Sequence, residues 1–235
     1  MTTDTSEKGL EALIVADMTG GAKASPGGGF SEEPEPFVGL HNWLLGDPNA
    51  YDRAWTIDLA QLRAFVAVTQ PPLVAALDLG NDSPARQKFL ARLQGEIGKR
   101  GVIDVLRHGV KHGPHAIDLF YGTPSPGNLK AAARFALNRF SVTRQLRYSR
   151  DDTAHTLDLA LFINGLPVAT FELKNSLTKQ TVADAVEQYK RDRDPREKLF
   201  EFGRCMVHFA VDDAQVKFWA PRYFKWVNWP ERLRR

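Results

Sequence analysis

Two apolar stretches joined by an Asn-Gly pair form the most constraining segment of this sequence. The segment runs LDLALFINGLPVATFELKN over residues 157–175. Asn-Gly between two apolar, strand-forming runs is a strong hairpin signal, because both residues readily adopt the positive φ angles of a tight turn. The pattern therefore predicts two antiparallel strands, over residues 156–163 and 167–174.

Each of these predicted strands is interrupted by one carboxylate, Asp158 in the first and Glu172 in the second. Burying an unpaired carboxylate costs several kcal/mol, so the two acids either lie at a cleft or are offset by a cation. Mg²⁺ prefers carboxylate and carbonyl oxygens, and it supports phosphodiester hydrolysis. Lys174 follows Glu172 by two residues and hence shares its strand face. The alternative interpretation is a surface Glu/Lys pair, with Asp158 in a structural salt bridge.

The turn decides whether the two acids can face each other. Opposed residues of an antiparallel pair share a face of the sheet, so a shift of one residue sends Asp158 and Glu172 to opposite faces. A regular two-residue turn at Asn164 and Gly165 would cause that shift. We therefore expect a three-residue loop over 164–166, or a β-bulge that restores the register.

The segments around the hairpin predict an α/β fold. Residues 142 and 145–148 predict a strand that precedes the hairpin in an antiparallel meander, and two more strands are predicted over 206–211 and 215–219. Apolar residues at helical spacing predict helices over 7–18, 57–68, 128–140 and 178–190, and one from Ser83-Pro84 to Gly98 or Gly101. The order of these elements indicates an α/β core preceded by an N-terminal helical region.

Composition excludes several classes of protein. The 235 residues include one cysteine, Cys205, which excludes an intramolecular disulfide and a CxxC-type metal site. This cysteine usage leads us to expect a cytoplasmic protein. The longest apolar runs are shorter than the roughly eighteen residues of a membrane helix, so we expect no membrane partner. The glycine-rich stretch over 19–36 is expected to be a flexible loop. It lacks the GxxxxGK[ST] spacing, and we expect no nucleotide site within this chain.

The hairpin segment resembles the signature of a known nuclease family. Together with NRFSVTRQLRY upstream, and with AVEQYKRDRDP and HFAVD downstream, it is similar to the N-terminal endonuclease domain of the R (HsdR-type) subunit of type I restriction enzymes. That domain belongs to the PD-(D/E)xK superfamily. The resemblance covers residues 138–219 and implies a restriction-endonuclease-like core, a mixed sheet flanked by helices. It implies one nuclease domain: a mainly helical part over 1–127, a catalytic core over 128–221 and a tail over 222–235.

The resemblance also implies roles for individual residues. Asp158, Glu172 and Lys174 correspond to the catalytic residues. Asp158, Glu172 and the Leu173 carbonyl would hold one or two Mg²⁺ ions, with Glu11 of the first helix as a further candidate acid. The helix after the ExK motif often carries QxxxY in this family. Here the glutamine, Gln188, stands directly beside Tyr189, so this part of the pattern departs from the family.

Basic residues suggest the partner. Six of them fall within residues 130–150 without an intervening acid: Lys130, Arg134, Arg139, Arg144, Arg147 and Arg150. We assign DNA-phosphate contacts to Arg139, Arg144, Arg147 and Lys190, the alternative being an ordinary solvated surface. The expected partners are double-stranded DNA and, by resemblance, the methylation and specificity subunits of a type I complex.

Two other functions stay open at this point. The helicase-like motor that follows the nuclease domain in R subunits has no counterpart in these 235 residues. The chain could be a non-catalytic DNA-binding or docking module that kept the fold, or a stand-alone repair nuclease of the same fold.

Overall fold

The structure is a computed structural model, and it describes residues 7–20, 43–150, 155–175, 180–194, 196–220 and 227–228. The predicted loop over 19–36 lies outside the described residues from residue 21 onward. The predicted tail over 222–235 also lies outside them, apart from the backbone of 227–228.

Helices and strands alternate along the described chain. The helices are α1 (Glu7–Met18), α2 (Leu59–Thr69), α3 (Pro71–Ala76), α4 (Pro84–Arg100), α5 (Val102–His108), α6 (Leu129–Phe135) and α7 (Val182–Arg191). The strands are β1 (Leu44–Leu45), β2 (Tyr51–Asp52), β3 (Ile57–Asp58), β4 (Val110–His112), β5 (His115–Ile117), β6 (Phe140–Arg147), β7 (Thr156–Ile163), β8 (Leu166–Leu173), β9 (Val207–Val211), β10 (Val216–Trp219) and β11 (Val227–Asn228). None of the described helices is both long and apolar enough to cross a membrane.

A seven-stranded mixed sheet organises the fold, in the order β1-β6-β7-β8-β9-β10-β11. The β1/β6 and β8/β9 pairs are parallel, and the other neighbours are antiparallel. The predicted meander of β6, β7 and β8 is therefore confirmed. The pairs β2/β3 and β4/β5 form two separate small ribbons, which the sequence analysis did not predict.

Residues of β7 pack against helices on both faces of the sheet. Ala160 and Phe162 share an apolar cluster with Tyr189 of α7, whereas Leu159 shares one with Val15 of α1. This period of two is what a strand covered on both faces requires, and it holds from Leu159 onward. It breaks at Asp158, since Leu157 belongs to the cluster of Ala160 and Phe162. The N-terminal helices α2, α4 and α5 form the largest apolar cluster, which the β8 residues Leu166 and Val168 join. The mixed sheet is thus flanked by helices, as expected.

Helix α2 begins two residues later than predicted. The cause is Asp58, which pairs with Tyr51 across the β2/β3 ribbon and also caps the helix, since its carboxylate accepts from the Gln61 N–H at 3.0 Å. Helix α4 matches the expectation more closely. The Ser83 hydroxyl caps its first turn, and Gly101, one of the two predicted stops, ends it with φ +81°.

The predicted helix over 128–140 is wrong in its second half. Helix α6 ends at Phe135, it has no buried residue, and Leu129 is 82 % exposed. The Asn138 side chain explains the early stop. Its amide donates to the Tyr121 and Phe135 carbonyls and its oxygen accepts from the Tyr121 N–H, and such side-chain bonding to the backbone competes with helical hydrogen bonds. The chain then enters β6 at Phe140.

The hairpin between β7 and β8 combines a tight turn with a bulge. Asn164 and Gly165 have φ +50° and +85°, and Ile163 pairs with Leu166, so the turn has two residues and the predicted three-residue loop is wrong. The predicted bulge is confirmed. Phe162 pairs with Pro167 but Leu161 pairs with Ala169, which leaves Val168 as the extra residue of β8.

Candidate active site

The bulge brings the two strand acids into one register. Beyond it, Leu159 pairs with Phe171 as the last pair of the ladder, and Asp158 and Glu172 are the next residue of each strand. The two carboxylates interact, because the negative charge of Asp158 contributes to raising the pKa of Glu172. Without the bulge, the tight turn would have left these acids out of register.

Glu172 lies in the protein interior beside a buried arginine. Its side chain is 1 % exposed and that of Arg193 is 3 % exposed, and Arg193 Nη2 donates to Glu172 Oε1. Arg193 also donates to the Tyr148 hydroxyl at 3.0 Å and to the Thr156 carbonyl at 2.8 Å. Burial raises the pKa of Glu172 to about 7, although the charge of Arg193 opposes this shift.

Asp158 is held by two donors from neighbouring strands. Its Oδ2 accepts from the Leu173 N–H at 2.7 Å, and its Oδ1 accepts from Gln145 Nε2 at 3.3 Å. Burial raises its pKa, while the Leu173 hydrogen bond and the nearby charge of Lys174 lower it. Leu173 therefore serves Asp158 through its N–H, and the role expected of its carbonyl stays a prediction.

Helix α1 contributes two further acids to the same place. Glu11 is 2 % exposed and accepts from Arg144 Nε and, at 2.7 Å, from Gln145 Nε2. One turn earlier, Glu7 lies with its Oε1 3.7 Å from Lys174 Nζ. Residues four apart share one face of a helix, so the Glu7/Glu11 face of α1 covers the ends of β6 and β8.

The structure thus brings together Glu11, Asp158, Glu172 and Lys174, four residues predicted for the site. Within the part of the chain that the structure describes, no three acidic, histidine or cysteine side chains form a ready set of metal ligands. The donors are nevertheless of the right chemical type for Mg²⁺, which commonly uses one or two carboxylates and completes its shell with water.

The four predicted DNA contacts lie in different surroundings. Arg139 donates to Gln61 Oε1 at 2.7 Å, and Arg144 pairs with the buried Glu11. Arg147 is exposed at the end of β6, whereas Lys190 is exposed on α7 and pairs with Glu187 at 2.8 Å. Arg147 and Lys190 thus have the surface position that a phosphate contact needs, and the partner of Lys190 is itself exposed. Arg139 and Arg144 instead bond to residues of α2 and α1.

The two uncertain residues of α7 also differ from each other. Tyr189 is buried, and its hydroxyl shares a 2.8 Å hydrogen bond with the Thr170 hydroxyl. This contact is a core contact between α7 and β8. Gln188 is half-buried, and its role stays a prediction.

Sequence reasoning missed Gln145, Arg193 and Glu7. Arg193 stands in a run of charged residues, KRDRDPREK, that is typical of a solvated surface, and only the contact with Glu172 across the fold distinguishes it. Gln145 has a neutral side chain within a basic strand. A signal for Glu7 was present, since the acidic pair Glu7 and Glu11 has the spacing of one helix face.

The comparison with known families agrees with this architecture. A mixed sheet flanked by helices, with acids on adjacent strands, is consistent with a restriction-endonuclease-like fold. The chain belongs to the family of the type I restriction enzyme R protein N terminus, whose sequence model matches residues 92–224. The resemblance drawn from the hairpin segment is therefore confirmed at the level of the family.

Two relatives from Methanocaldococcus jannaschii are similar over part of the chain. One is named as the MjaIXP endonuclease subunit of a type I restriction enzyme. It is 30% identical over 97 residues, which cover 38% of this chain and 9% of the relative. The other is named in the same way as the MjaVIIIP endonuclease subunit. It is 29% identical over 104 residues, 39% of this chain and 10% of the relative. The matched region thus spans about a tenth of the length of these relatives.

Proposed function

We propose that this chain is the nuclease module of a type I restriction R protein and that it hydrolyses DNA phosphodiester bonds with Mg²⁺. One observation carries the proposal: in a member of this family, a bulge in β8 brings Asp158 and Glu172 beside the Leu159/Phe171 pair, where their charges interact, and Lys174 follows two residues after Glu172. Family membership alone indicates the module, and the paired acids indicate the chemistry.

The chemistry of the donors fits a hard divalent cation. Asp158, Glu172 and the Leu173 carbonyl would hold one or two Mg²⁺ ions, and Glu11 is the further acid within reach of Asp158 through Gln145. When bound, the ion acidifies water and offsets negative charge on the phosphate. The raised pKa values of Asp158 and Glu172 support this assignment, because desolvated carboxylates favour a nearby cation.

Lys174 and Arg193 have different tasks in this proposal. Lys174 carries its ammonium beside the acids, where it can donate to the attacking water or to a phosphate oxygen and so stabilise the charge of the transition state. Arg193 is too deeply buried to meet DNA. It fixes the orientation of Glu172 by a hydrogen bond to one of its two oxygens.

The proposed partners follow from the family. Double-stranded DNA is the substrate, and the methylation and specificity subunits of a type I complex are the protein partners. We expect the activity in the cytoplasm, where these components meet. Exposed Arg147 and Lys190 are the first candidates for phosphate contacts, with Arg139 and Arg144 nearer the protein interior.

A second candidate function is a non-catalytic DNA-binding or docking module. The buried ion pair between Glu172 and Arg193 favours it, because an acid that is already neutralised by an arginine can have a purely structural role. A stand-alone repair nuclease would use the same site, and it differs from the main proposal only in its partners.

A plasmid-nicking assay separates catalysis from docking. The full chain is incubated with supercoiled plasmid and Mg²⁺ or Mn²⁺, beside the variants Lys174→Ala and Lys111→Ala. Lys111 is an exposed residue of the β4/β5 ribbon and serves as the matched control. The proposal requires nicking by wild type and Lys111→Ala but not by Lys174→Ala. Equal nicking by all three would remove the reaction from this site.

A further inference from the structure

Gln145 has a backbone conformation that its neighbours in β6 do not share. Its φ is +48°, in the left-handed region that residues with a side chain seldom occupy. The ladder between β6 and β7 is interrupted at the same place: Arg144 pairs with Leu159 and Leu146 with Leu157, but Gln145 and Asp158 are not paired. A strained residue at the centre of a candidate site points to a local function.

The side chain of Gln145 makes three contacts that compensate for this strain. Its Nε2 donates to Glu11 Oε2 at 2.7 Å and to Asp158 Oδ1 at 3.3 Å, and its Oε1 accepts from the Thr156 hydroxyl at 3.2 Å. The amide therefore lies between two carboxylates that belong to elements far apart in sequence, α1 and β7. The Thr156 contact fixes which end of the amide faces the acids.

We propose that Gln145 is a positioning residue that holds Glu11 of α1 and Asp158 of β7 at one cation site. This inference rests on the proposed function. What it adds is the residue that joins Glu11, and hence helix α1, to Asp158 at that site.

The neutral amide is suited to this task. A lysine or arginine between the two acids would supply the positive charge that a cation otherwise brings, and would compete with it. An amide donates one hydrogen to each carboxylate and adds no positive charge to that which Arg144 already places beside Glu11. Residues that orient metal ligands in this way typically contribute a factor of roughly 10–100 to metal affinity.

Glycine at position 145 tests the inference without disturbing the backbone, because glycine adopts positive φ at no steric cost. The full-length variant Gln145→Gly keeps the backbone conformation and loses the amide. Asp78→Gly is the matched control, since Asp78 has φ +48° and lies between α3 and α4. Mn²⁺ binding to the metal-free proteins is measured by electron paramagnetic resonance, with the thermal midpoint as a test of folding.

We expect Gln145→Gly to lose Mn²⁺ affinity tenfold or more while its thermal midpoint stays at or above that of wild type. The control Asp78→Gly should bind Mn²⁺ with the affinity of wild type. Unchanged or tighter Mn²⁺ binding by Gln145→Gly would overturn the inference. If the glycine variant does not fold, Gln145→Asn takes its place, because asparagine tolerates this conformation and its shorter amide cannot bridge both acids.

The variant Asp158→Asn separates this inference from the proposed function. Loss of Mn²⁺ binding in Asp158→Asn but not in Gln145→Gly would reject only the role of Gln145. Wild-type affinity in Asp158→Asn would mean that the acids hold no cation, which would reject the proposed function and the role of Gln145 with it.

Discussion

The guanidinium of Arg193 donates to the carboxylate of Glu172 in the protein interior, where both side chains are almost completely shielded from solvent. Arg193 also bonds the Tyr148 hydroxyl just beyond β6 and the Thr156 carbonyl of β7. One side chain thus joins the three strands of the meander at the end where the acids lie. The stability of this region and the geometry of the candidate site depend on the same ion pair.

Replacing Arg193 by methionine should therefore destabilise the protein strongly. The variant leaves Glu172 buried without its partner, so its carboxyl must either keep an uncompensated charge or take up a proton, and such losses are typically about 3–5 kcal/mol. Urea unfolding at pH 7.5 measures the change. Arg196→Met is the matched control, because Arg196 pairs with Asp194 at the surface, where an ion pair contributes little to stability.

The double variant Arg193→Met/Glu172→Gln tests the reason for that loss. It removes the carboxyl that must otherwise stay charged or take up a proton, so it should unfold at a higher urea concentration than Arg193→Met alone. A double variant no more stable than Arg193→Met would show that packing of the arginine, and not its charge, is what matters.

His208 should make the stability of the protein depend on pH. Burial lowers its pKa to about 3, and its Nδ1 lies 2.7 Å from the Thr170 hydroxyl. Below pH 6.5 the unfolded chain binds a proton at this histidine, whereas the folded chain does not until about pH 3. The contribution of His208 to the free energy of unfolding is therefore fully present above pH 6.5. It decreases as the pH falls, by about 2 kcal/mol between pH 7.5 and pH 5.

The variant His208→Asn checks this assignment, since asparagine keeps a polar atom near Thr170 but does not titrate. Glu172, whose raised pKa favours the fold as the pH falls, titrates alike in both proteins. Urea unfolding at pH 7.5 and pH 5 should therefore show that this fall in pH changes the stability of His208→Asn more favourably than that of wild type, by about 2 kcal/mol. His155 is exposed, and His155→Asn should keep the wild-type difference. Equal pH dependence in all three proteins would mean that His208 is protonated in the fold.

Gly165 of the hairpin turn should tolerate no side chain. A Cβ at this position would lie 2.3 Å from the Asp58 carbonyl oxygen and 2.7 Å from the Leu62 nitrogen, in addition to requiring φ +85°. Gly127 offers a matched comparison, because it has φ +77° but open space around it. Gly127→Ala should cost about 1–2 kcal/mol of stability from the backbone conformation alone. Gly165→Ala should cost clearly more, and equal losses by urea unfolding would show that the turn moves freely away from α2.

The hairpin of β7 and β8 separates what the sequence predicts from what only the structure shows. Apolar residues on both sides of Asn164 and Gly165 determined the strands, and the positions of Asp158 and Glu172 required either a longer loop or a bulge. The choice between these two depended on tertiary contacts. The Gly165 carbonyl accepts from the Asp58 N–H at 2.9 Å, and the turn packs against α2, which favours the tight turn and places the irregularity at Val168.

The parts of the site that the sequence did not predict depend on contacts between distant residues. Glu11 and Gln145 are 134 positions apart, and Arg193 and Glu172 are 21 apart on different elements. Local spacing carries no information about such pairs. The shortened α6 has a similar origin, because the competing hydrogen bonds of Asn138 go to Tyr121 in a loop that precedes the helix.

Arg147 should contribute one phosphate contact to DNA binding. Its exposed position on β6 leaves the guanidinium available, and each neutralised phosphate of duplex DNA steepens the fall of log K with log salt by about 0.9. Arg147→Ala should therefore lower the magnitude of that slope by about 0.9 and weaken binding equally on unrelated sequences, because phosphate contacts do not read bases. Fluorescence anisotropy over a range of salt concentrations, with two unrelated duplexes, measures both effects.

Arg92→Ala provides the control for this experiment. Arg92 is an exposed residue of α4 that pairs with Glu96, in the helical layer and outside the basic segment of residues 130–150. Its replacement removes the same charge from the protein and should leave the salt slope as in wild type. If Arg147→Ala and Arg92→Ala lower the slope alike, net charge governs the binding. If neither changes it, the exposed end of β6 is an ordinary solvated surface, and the DNA lies elsewhere on the protein.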